Sequence, residues 1–341
     1  MRRHRGWIGV AVVCLLVGWH LTARSSVGVG TAALPRTEPS GAAGDSLVVE
    51  PDDGMTRIDE LLGSARRSLD MTMYELSDPT VESGLAGDAA RGVRVRVLLD
   101  GGLERARNTV AFDYLRSRGV GVFWSSSRYF VTHEKSFVVD RAVAVVMSLN
   151  LTPQYYATSR DVAVVDRDGR DVAAIEQVFD ADIRGIGTGT PAADDLVWSP
   201  KQSGADLLAL IQGARRTIDV ESEELSSEPV IAALVAAARR GVTVRVVMTY
   251  QAQWAAGFSR FVTAAAQVAV LHGETPLYVH AKLLVVDAGT PHGRAFVGSE
   301  NLSDASLFHD RELGIVLVAP ALVARLAALI ASDVPAGQPW R

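Results

Sequence analysis

Apolar residues follow first a helical and then a strand period, and this order of segments occurs twice along the chain. Each copy begins with an amphipathic helix, a strand and an Ala-rich helix, over residues 57–67, 68–75 and 79–91 in the first copy and 206–215, 217–224 and 229–240 in the second. Gly92 and Gly241 follow the Ala-rich helices in the place of a C-terminal cap. A strand with Val93, Val95 and Val97 on one face comes next. Helices between strands predict a layered α/β fold in which helices cover a mixed sheet.

Each copy continues with another helix, a short strand and then three predicted strands that carry the polar residues of interest. The first of the three reads "HEKSFVVD" at 133–140 and "HAKLLVVD" at 280–287. Its partner strand and the last strand follow at 142–148 and 161–166 in the first copy, and at 294–298 and 312–318 in the second. An apolar strand that begins with an imidazole and an ammonium is unusual, because buried strands normally exclude charge.

Sequence identity between the copies shows a tandem duplication. "SLDMTMYELS" at 68–77 matches "TIDVESEELS" at 217–226, which lies 149 positions later. "HEKSFVVD" matches "HAKLLVVD" after 147 positions, and "SRDVAVV" at 159–165 matches "DRELGIV" at 310–316 after 151. A repeating unit of about 150 residues is an ordinary domain size.

The chain therefore divides into four predicted segments. Residues 1–23 combine a basic start with a short apolar run, which is typical of an export signal and favours cleavage over retention as an N-terminal anchor. Residues 24–46, rich in Gly, Ser, Pro and Ala, are expected to be a flexible linker. Repeat 1 covers 47–190 and repeat 2 covers 191–341, with the boundary in the Gly- and Pro-rich stretch 184–205. We expect a secreted or extracytoplasmic protein.

The polar residues of the duplicated strand suit an anion. Side chains alternate along a strand, so His133 and Lys135 point the same way, as do His280 and Lys282. An imidazole beside an ammonium suits above all a phosphate. The chain has 34 Lys plus Arg, of which three are Lys, and two of these occupy the same place in the two repeats. A single motif could be a His and a Lys at a strand edge without any function. Two motifs at equivalent positions of the repeats favour a functional site.

Two copies of His-x-Lys-x4-Asp, each followed by Ser-x-Asn, resemble the phospholipase D superfamily. The resemblance spans residues 47–318. It implies two tandem α/β units related by a pseudo-two-fold axis, one active site at their interface, and no metal or other cofactor. It also implies that His133 attacks phosphorus and forms a phosphohistidine, whereas His280 protonates the leaving alcohol. Covalent catalysis of this kind divides a difficult displacement into two easier steps.

The resemblance extends to residues around the histidines. Six side chains would surround the phosphate, namely Lys135, Lys282, Ser148, Asn150, Ser299 and Asn301. Asp161 and Glu312 occupy equivalent positions and are candidates to orient the histidine rings, with a solvated strand-end carboxylate as the alternative. Asp140 and Asp287 end their strands and are expected to have structural roles. Met147 stands where the family often has Gly, so we expect it to narrow the wall of the site or to present an apolar surface there.

Two aromatic-rich stretches, "VFWSSSRYF" at 122–130 and "QWAAGFSRF" at 253–261, precede the motifs. Their large side chains could contact acyl chains, stack on unpaired bases or belong to the core, and they are Trp124, Tyr129, Phe130, Trp254, Phe258 and Phe261.

Net charge bears on the substrate. The formal charge is −5, and loss of residues 1–23 would lower it to −8, so the protein lacks the broad positive field of non-specific nucleic-acid binders. We predict an exported, metal-independent phosphodiesterase that hydrolyses or transphosphatidylates phospholipids at a membrane surface, and we infer no obligate protein partner. The alternatives are a cardiolipin-synthase-like transferase, a non-catalytic phosphate-binding relic, and an exported nuclease with phosphate contacts from Arg94, Arg96, Arg128 and Arg260.

Overall fold

The computed structural model describes residues 45–187, 191, 195–272 and 277–341. The predicted export signal and nearly all of the predicted linker lie outside these residues. Repeat 1 contains β1 (Ser46–Glu50), α1 (Thr56–Gly63), β2 (Ser68–Met73), α2 (Pro79–Ala90), β3 (Arg94–Leu99), α3 (Arg105–Ser117), β4 (Gly121–Trp124), β5 (Lys135–Val139), β6 (Val143–Met147), α4 (Pro153–Tyr156), β7 (Ser159–Asp166) and α5 (Gly169–Asp182).

Repeat 2 contains β8 (Leu196–Ser199), α6 (Ser203–Gly213), β9 (Thr217–Ser222), α7 (Glu228–Arg239), β10 (Thr243–Thr249), a 3-10 turn (Ala252–Trp254), α8 (Ala255–Thr263), β11 (Gln267–Leu271), β12 (Tyr278–Val279), β13 (Lys282–Val286), β14 (Arg294–Gly298), α9 (Asp304–Phe308), β15 (Glu312–Leu317), α10 (Pro320–Asp333), a second 3-10 turn (Val334–Ala336) and β16 (Gln338–Pro339). Among the described residues, no helix is long and apolar enough to span a bilayer.

Both repeats build a mixed sheet with the same strand order. The first sheet runs β1-β7-β6-β5-β2-β3-β4, and the second runs β8-β15-β14-β13-β9-β10-β11-β16. The pairs β2–β3–β4 and β9–β10–β11 are parallel, whereas the other neighbours along each path are antiparallel. The predicted α/β class with mixed sheets is confirmed. β12 of repeat 2 pairs with β7 of repeat 1, which ties the repeats together.

Strand alternation divides the core into three clusters. On β6, Ala144 and Val146 face a central cluster, whereas Val145 and Met147 face the helices of repeat 1. On β14, Ala295 and Val297 likewise belong to the central cluster. That cluster takes residues from both sheets and from α5 and α10, so the two sheets pack toward each other around it.

Capping residues explain where α2 begins and where both Ala-rich helices end. The Asp78 side chain accepts a hydrogen bond from the Thr80 N–H, 2.8 Å away, and Pro79 occupies the first helical position. Gly92 and Gly241 follow the helices with φ of +89° and +90°, the left-handed conformation that glycine adopts at low cost. Their predicted place at the helix ends is therefore confirmed.

The structure departs from the sequence pattern at element boundaries. α1 ends at Gly63, although the pattern predicts a helix to residue 67. β8 and the start of α6 lie inside the stretch 184–205 that we expect to be a boundary. β8 is short and gains its hydrogen bonds from β15, far away in sequence, so local pattern alone does not identify it. The exact limits of the two repeats stay a prediction.

Candidate active site

The segment before each motif pairs with a strand of the other repeat. The His133 N–H donates to the Arg311 carbonyl at 2.9 Å, and the Arg311 N–H donates to the Val131 carbonyl at 2.8 Å. The symmetry-related contact is the His280 N–H, which donates to the Arg160 carbonyl at 3.1 Å, beside the β12–β7 pair. These two crossings bring the N-terminal ends of β5 and β13 to one place between the repeats.

Each histidine ring is bound by a carboxylate from the opposite repeat. His133 Nδ1 lies 2.8 Å from Glu312 Oε2, and His280 Nδ1 lies 2.8 Å from Asp161 Oδ1. The two carboxylates are buried, whereas the imidazoles keep 15% and 16% of their side-chain surface exposed. A carboxylate at Nδ1 fixes the ring orientation and leaves Nε2 free for chemistry.

The two motif lysines are buried at the same site but have different neighbours. Lys135 Nζ donates to the His133 carbonyl at 2.6 Å and lies 4.8 Å from the centre of the Tyr74 ring. Lys282 Nζ donates to the His280 carbonyl and, at 2.8 Å, to Glu223 Oε2. A buried ammonium is stable only where such groups compensate for lost hydration.

The electrostatics link the two motifs. Burial, followed by the charges of Lys135 and Lys282, lowers the pKa of His133 well below its usual range. Burial and the Lys282 charge lower the pKa of Lys135 to about 7. Burial raises the pKa of Glu312 to about 7, although Lys135 opposes that shift. His133 is therefore a neutral imidazole at neutral pH, and charges from both repeats act on it.

The sequence predicts that Ser148 and Ser299 contact the phosphate, but their hydroxyls are hydrogen-bonded inside the protein. The Ser148 hydroxyl donates to Asp161 Oδ1 and accepts from the Val162 N–H at 3.0 Å. The Ser299 hydroxyl accepts from the Leu313 N–H at 3.2 Å. Both side chains are fully buried. Because these hydroxyls are enclosed and already bonded, they support the strands that carry the orienting carboxylates.

The two asparagines remain candidates for phosphate contact. The residue after Asn150 donates its N–H to the Glu75 carbonyl, and the residue after Asn301 donates to the Glu224 carbonyl, both at 3.2 Å. These bonds hold each asparagine next to the segment that follows β2 and contains Tyr74, or follows β9 and contains Glu223. Within the described part of the chain, Oδ1 of each asparagine is buried without a partner. Because a carboxamide has an acceptor oxygen at one end and a donor NH₂ group at the other, rotation about its last bond would turn the donor toward the same space.

The motif aspartates shape the backbone. The carboxylate of Asp140 accepts hydrogen bonds from the N–H groups of residues 66–68, and that of Asp287 from residues 215–217. Both aspartates have positive φ, +54° and +50°, which few residues tolerate outside turns. Each therefore ends its strand and anchors the turn before β2 or β9, the structural role expected from sequence.

Several predicted site residues belong to the core. Met147 is fully buried against the helices of repeat 1, so the expectation that it narrows the site or presents an apolar surface to it was wrong. The same core placement holds for Trp254, Phe258 and Phe261. Trp124 stacks on Phe112 with centroids 4.2 Å apart, and Tyr129 lies under Arg311. Of these aromatics only Phe130 is largely exposed, at 67%.

Sequence reasoning missed two buried ion pairs that cross between the repeats. Arg160 Nε donates to Asp333 at 2.7 Å, and Arg311 Nε donates to Asp182 at 2.6 Å. Each arginine directly precedes an orienting carboxylate, and each aspartate ends the last helix of the other repeat. The aligned "SRDVAVV" and "DRELGIV" contained the signal, because arginine stands second in both.

The family described as cardiolipin synthase, phospholipase D-like domain, matches residues 58–183 and 207–334, which is more than half of the chain. The chain belongs to this family and hence to the phospholipase D superfamily.

The mitochondrial cardiolipin hydrolase of Xenopus tropicalis is 34% identical over 129 residues, 38% of this chain and 60% of that protein. The human mitochondrial cardiolipin hydrolase is 28% identical over 153 residues, 45% of this chain and 58% of that protein. The match thus spans about six tenths of these relatives.

Two solved structures are similar over most of the chain. Polyphosphate kinase from Porphyromonas gingivalis has a TM-score of 0.69 and 16% identity over 85% of this chain and 47% of that one. Phosphatidylserine synthase from Haemophilus influenzae has a TM-score of 0.66 and 13% identity over 87% of both chains. At these identities the similarity concerns the fold.

Proposed function

We propose that the protein is a phospholipase D-type phosphodiesterase that cleaves phospholipids through a phosphohistidine intermediate. The observation that carries the proposal is the pair of partly exposed histidines at one site between the repeats, which we call the cleft. Each histidine is held at Nδ1 by a buried carboxylate and accompanied by a buried lysine. Lysine and amide donors at such a cleft stabilise charge on the transferring phosphoryl group.

In the first step, the Nε2 lone pair of His133 forms a bond to phosphorus. The bond from phosphorus to the leaving oxygen breaks, its electron pair stays on that oxygen, and His280 Nε2 donates the proton. The neutral state of His133 supports its assignment as nucleophile, because a protonated imidazole has no lone pair to donate at Nε2. Lys135 and Lys282 balance the charge on the phosphoryl oxygens.

In the second step, His280 Nε2 takes a proton from water, and the water oxygen bonds to phosphorus. The bond between His133 Nε2 and phosphorus breaks, and its electron pair returns to the imidazole. The product is a phosphomonoester such as phosphatidic acid. An alcohol in place of water would give transphosphatidylation through the same proton transfers.

Charges near the cleft favour a lipid over a nucleic acid. Of the arginines that we consider for phosphate contacts, Arg94 and Arg96 bind Asp70, and Arg260 binds Glu228. The ionised carboxylate of Glu223, which lies beside Lys282, would repel the neighbouring phosphates of a nucleic-acid strand.

Exposed apolar side chains near the nucleophile support a bilayer substrate. Phe130 stands three residues before His133, and Leu103 is 55% exposed. Asp100 joins their loops, since it accepts hydrogen bonds from the N–H groups of Thr132 and Glu104. Apolar residues presented on loops beside a polar site suit insertion among acyl chains.

A paired assay tests the function. We expect the purified protein to release phosphatidic acid from phospholipid vesicles, with or without EDTA, and to leave single-stranded DNA intact. A Phe130→Ser/Leu103→Ser double variant should lose activity on vesicles but keep it on a monomeric short-chain phospholipid. Degradation of DNA with every tested lipid intact would instead establish the nuclease alternative.

The pKa of Lys135 predicts how binding depends on pH. Because that pKa is lowered to about 7, the free protein loses this positive charge as pH rises through about 7. We therefore expect kcat/KM to fall above pH 7 while kcat changes less, since bound phosphate favours the charged ammonium. Steady-state kinetics from about pH 5.5 to about pH 9, a range centred near the shifted pKa, measure this pH dependence. A kcat/KM that does not change with pH would contradict the prediction.

A further inference from the structure

The two halves of the site differ at one pair of aligned positions, Tyr74 in repeat 1 and Glu223 in repeat 2. The Tyr74 ring meets the His133 ring edge-on, with centroids 4.5 Å apart. Glu223 Oε2 lies 3.6 Å from His280 Nε2 and 2.8 Å from Lys282 Nζ. An uncharged ring thus stands beside one histidine and a carboxylate beside the other.

Glu223 is held in place and ionised. Its Oε1 accepts a hydrogen bond from the Tyr278 hydroxyl at 3.1 Å, and 20% of its side-chain surface remains exposed. Burial acts to raise the pKa of Glu223, but Lys282 and His280 outweigh that effect and place it below its ordinary range. The carboxylate therefore carries its full negative charge at neutral pH.

The position of Glu223 matters because of the ring atom that it faces. His280 Nδ1 is occupied by Asp161, so Nε2 is the atom that meets the leaving oxygen. Glu223 stands on this Nε2 side, whereas the described residues place no carboxylate of repeat 1 in ion-pair contact with His133 Nε2.

We propose that Glu223 is a positioning residue that directs proton donation to His280. The proposal rests on the function proposed above. A carboxylate 3.6 Å from Nε2 stabilises the imidazolium that gives up the proton, and it opposes negative charge on the leaving oxygen, so proton transfer accompanies bond cleavage. Tyr74 supplies no such charge to His133, so the pseudo-symmetric histidines have different tasks.

The same carboxylate weakens substrate binding. Glu223 accepts a hydrogen bond from Lys282 that a phosphate oxygen could otherwise accept, and its negative charge repels a phosphate in the cleft. Removal of its charge should therefore have opposite effects on binding and on chemistry, which loss of a purely structural contact would not produce.

The test compares two leaving groups in Glu223→Gln. The amide has the same shape and still accepts a hydrogen bond from Lys282. With monomeric short-chain phosphatidylcholine, whose leaving alcohol needs a proton, we expect kcat to fall about 10- to 100-fold and KM to fall as well. With bis(p-nitrophenyl) phosphate, whose leaving group departs without a proton, the burst of p-nitrophenol should change less than about 3-fold.

Two variants serve as controls. Glu228→Gln removes an exposed carboxylate of repeat 2 that is paired with Arg260, and it should leave both rates unchanged. Glu223→Asp should recover part of the lost kcat. Equal loss on both substrates, or no loss on either, would refute the role of Glu223 while wild-type turnover stands. Absence of wild-type turnover on both substrates would refute the proposed function itself.

Discussion

Substitution of His133 by alanine is expected to lower phospholipid turnover by about 10⁴-fold or more, because the variant lacks the nucleophile that we propose for the covalent intermediate. The imidazole is neutral, oriented at Nδ1 by Glu312 and partly exposed at the cleft. His280 is oriented in the same way by Asp161, but its Nε2 faces Glu223. A neighbouring carboxylate favours a protonated imidazole, which suits proton donation and does not suit nucleophilic attack on phosphorus. Turnover of a short-chain phospholipid measures the loss.

His280→Ala separates the two roles. Alkyl substrates should react about 10²- to 10⁴-fold more slowly, the usual contribution of general acid–base catalysis. With bis(p-nitrophenyl) phosphate the first step needs no proton, so this variant should accumulate a phosphoryl group on His133, which peptide mass spectrometry locates. His292→Ala, at an exposed position, is the matched control and should turn over normally. Phosphate found on His280 of the wild-type protein would reverse the assignment.

The second large effect follows from the crossed carboxylates. Asp161→Asn should resemble His280→Ala although Asp161 belongs to repeat 1, and Glu312→Gln should resemble His133→Ala although Glu312 belongs to repeat 2. Each amide can stabilise the wrong ring tautomer, so we expect losses of about 10²- to 10⁴-fold in kcat on alkyl substrates.

The burst with bis(p-nitrophenyl) phosphate distinguishes the two carboxylates. Asp161→Asn should keep the burst, because its partner His280 is the proposed proton donor to the leaving group. Glu312→Gln should lose the burst, because its partner His133 is the proposed nucleophile. Pairing within one repeat predicts the opposite pattern, so that result would contradict the crossed arrangement. Thermal unfolding of each variant excludes misfolding, and Asp113→Asn on the exposed face of α3 is a matched control.

The sequence by itself determined the local features of this protein. The strand period places His133 with Lys135 and His280 with Lys282 on common faces, because successive side chains alternate. The duplication identified two equivalent α/β units and the superfamily, and both observations depend only on residue types at fixed short spacings. Gly92 and Gly241 marked helix ends for the same local reason.

Only the tertiary structure decided which groups meet. The partners at the histidine rings lie 179 and 119 positions apart, and they meet because the segment before each motif pairs with the other repeat's strand. The same packing turned the Ser148 and Ser299 hydroxyls inward and placed the aromatic side chains of 253–261 in the core. It also placed Glu223 against His280. A periodic pattern specifies the face on which a side chain lies, but the neighbour opposite that face depends on long-range strand pairing.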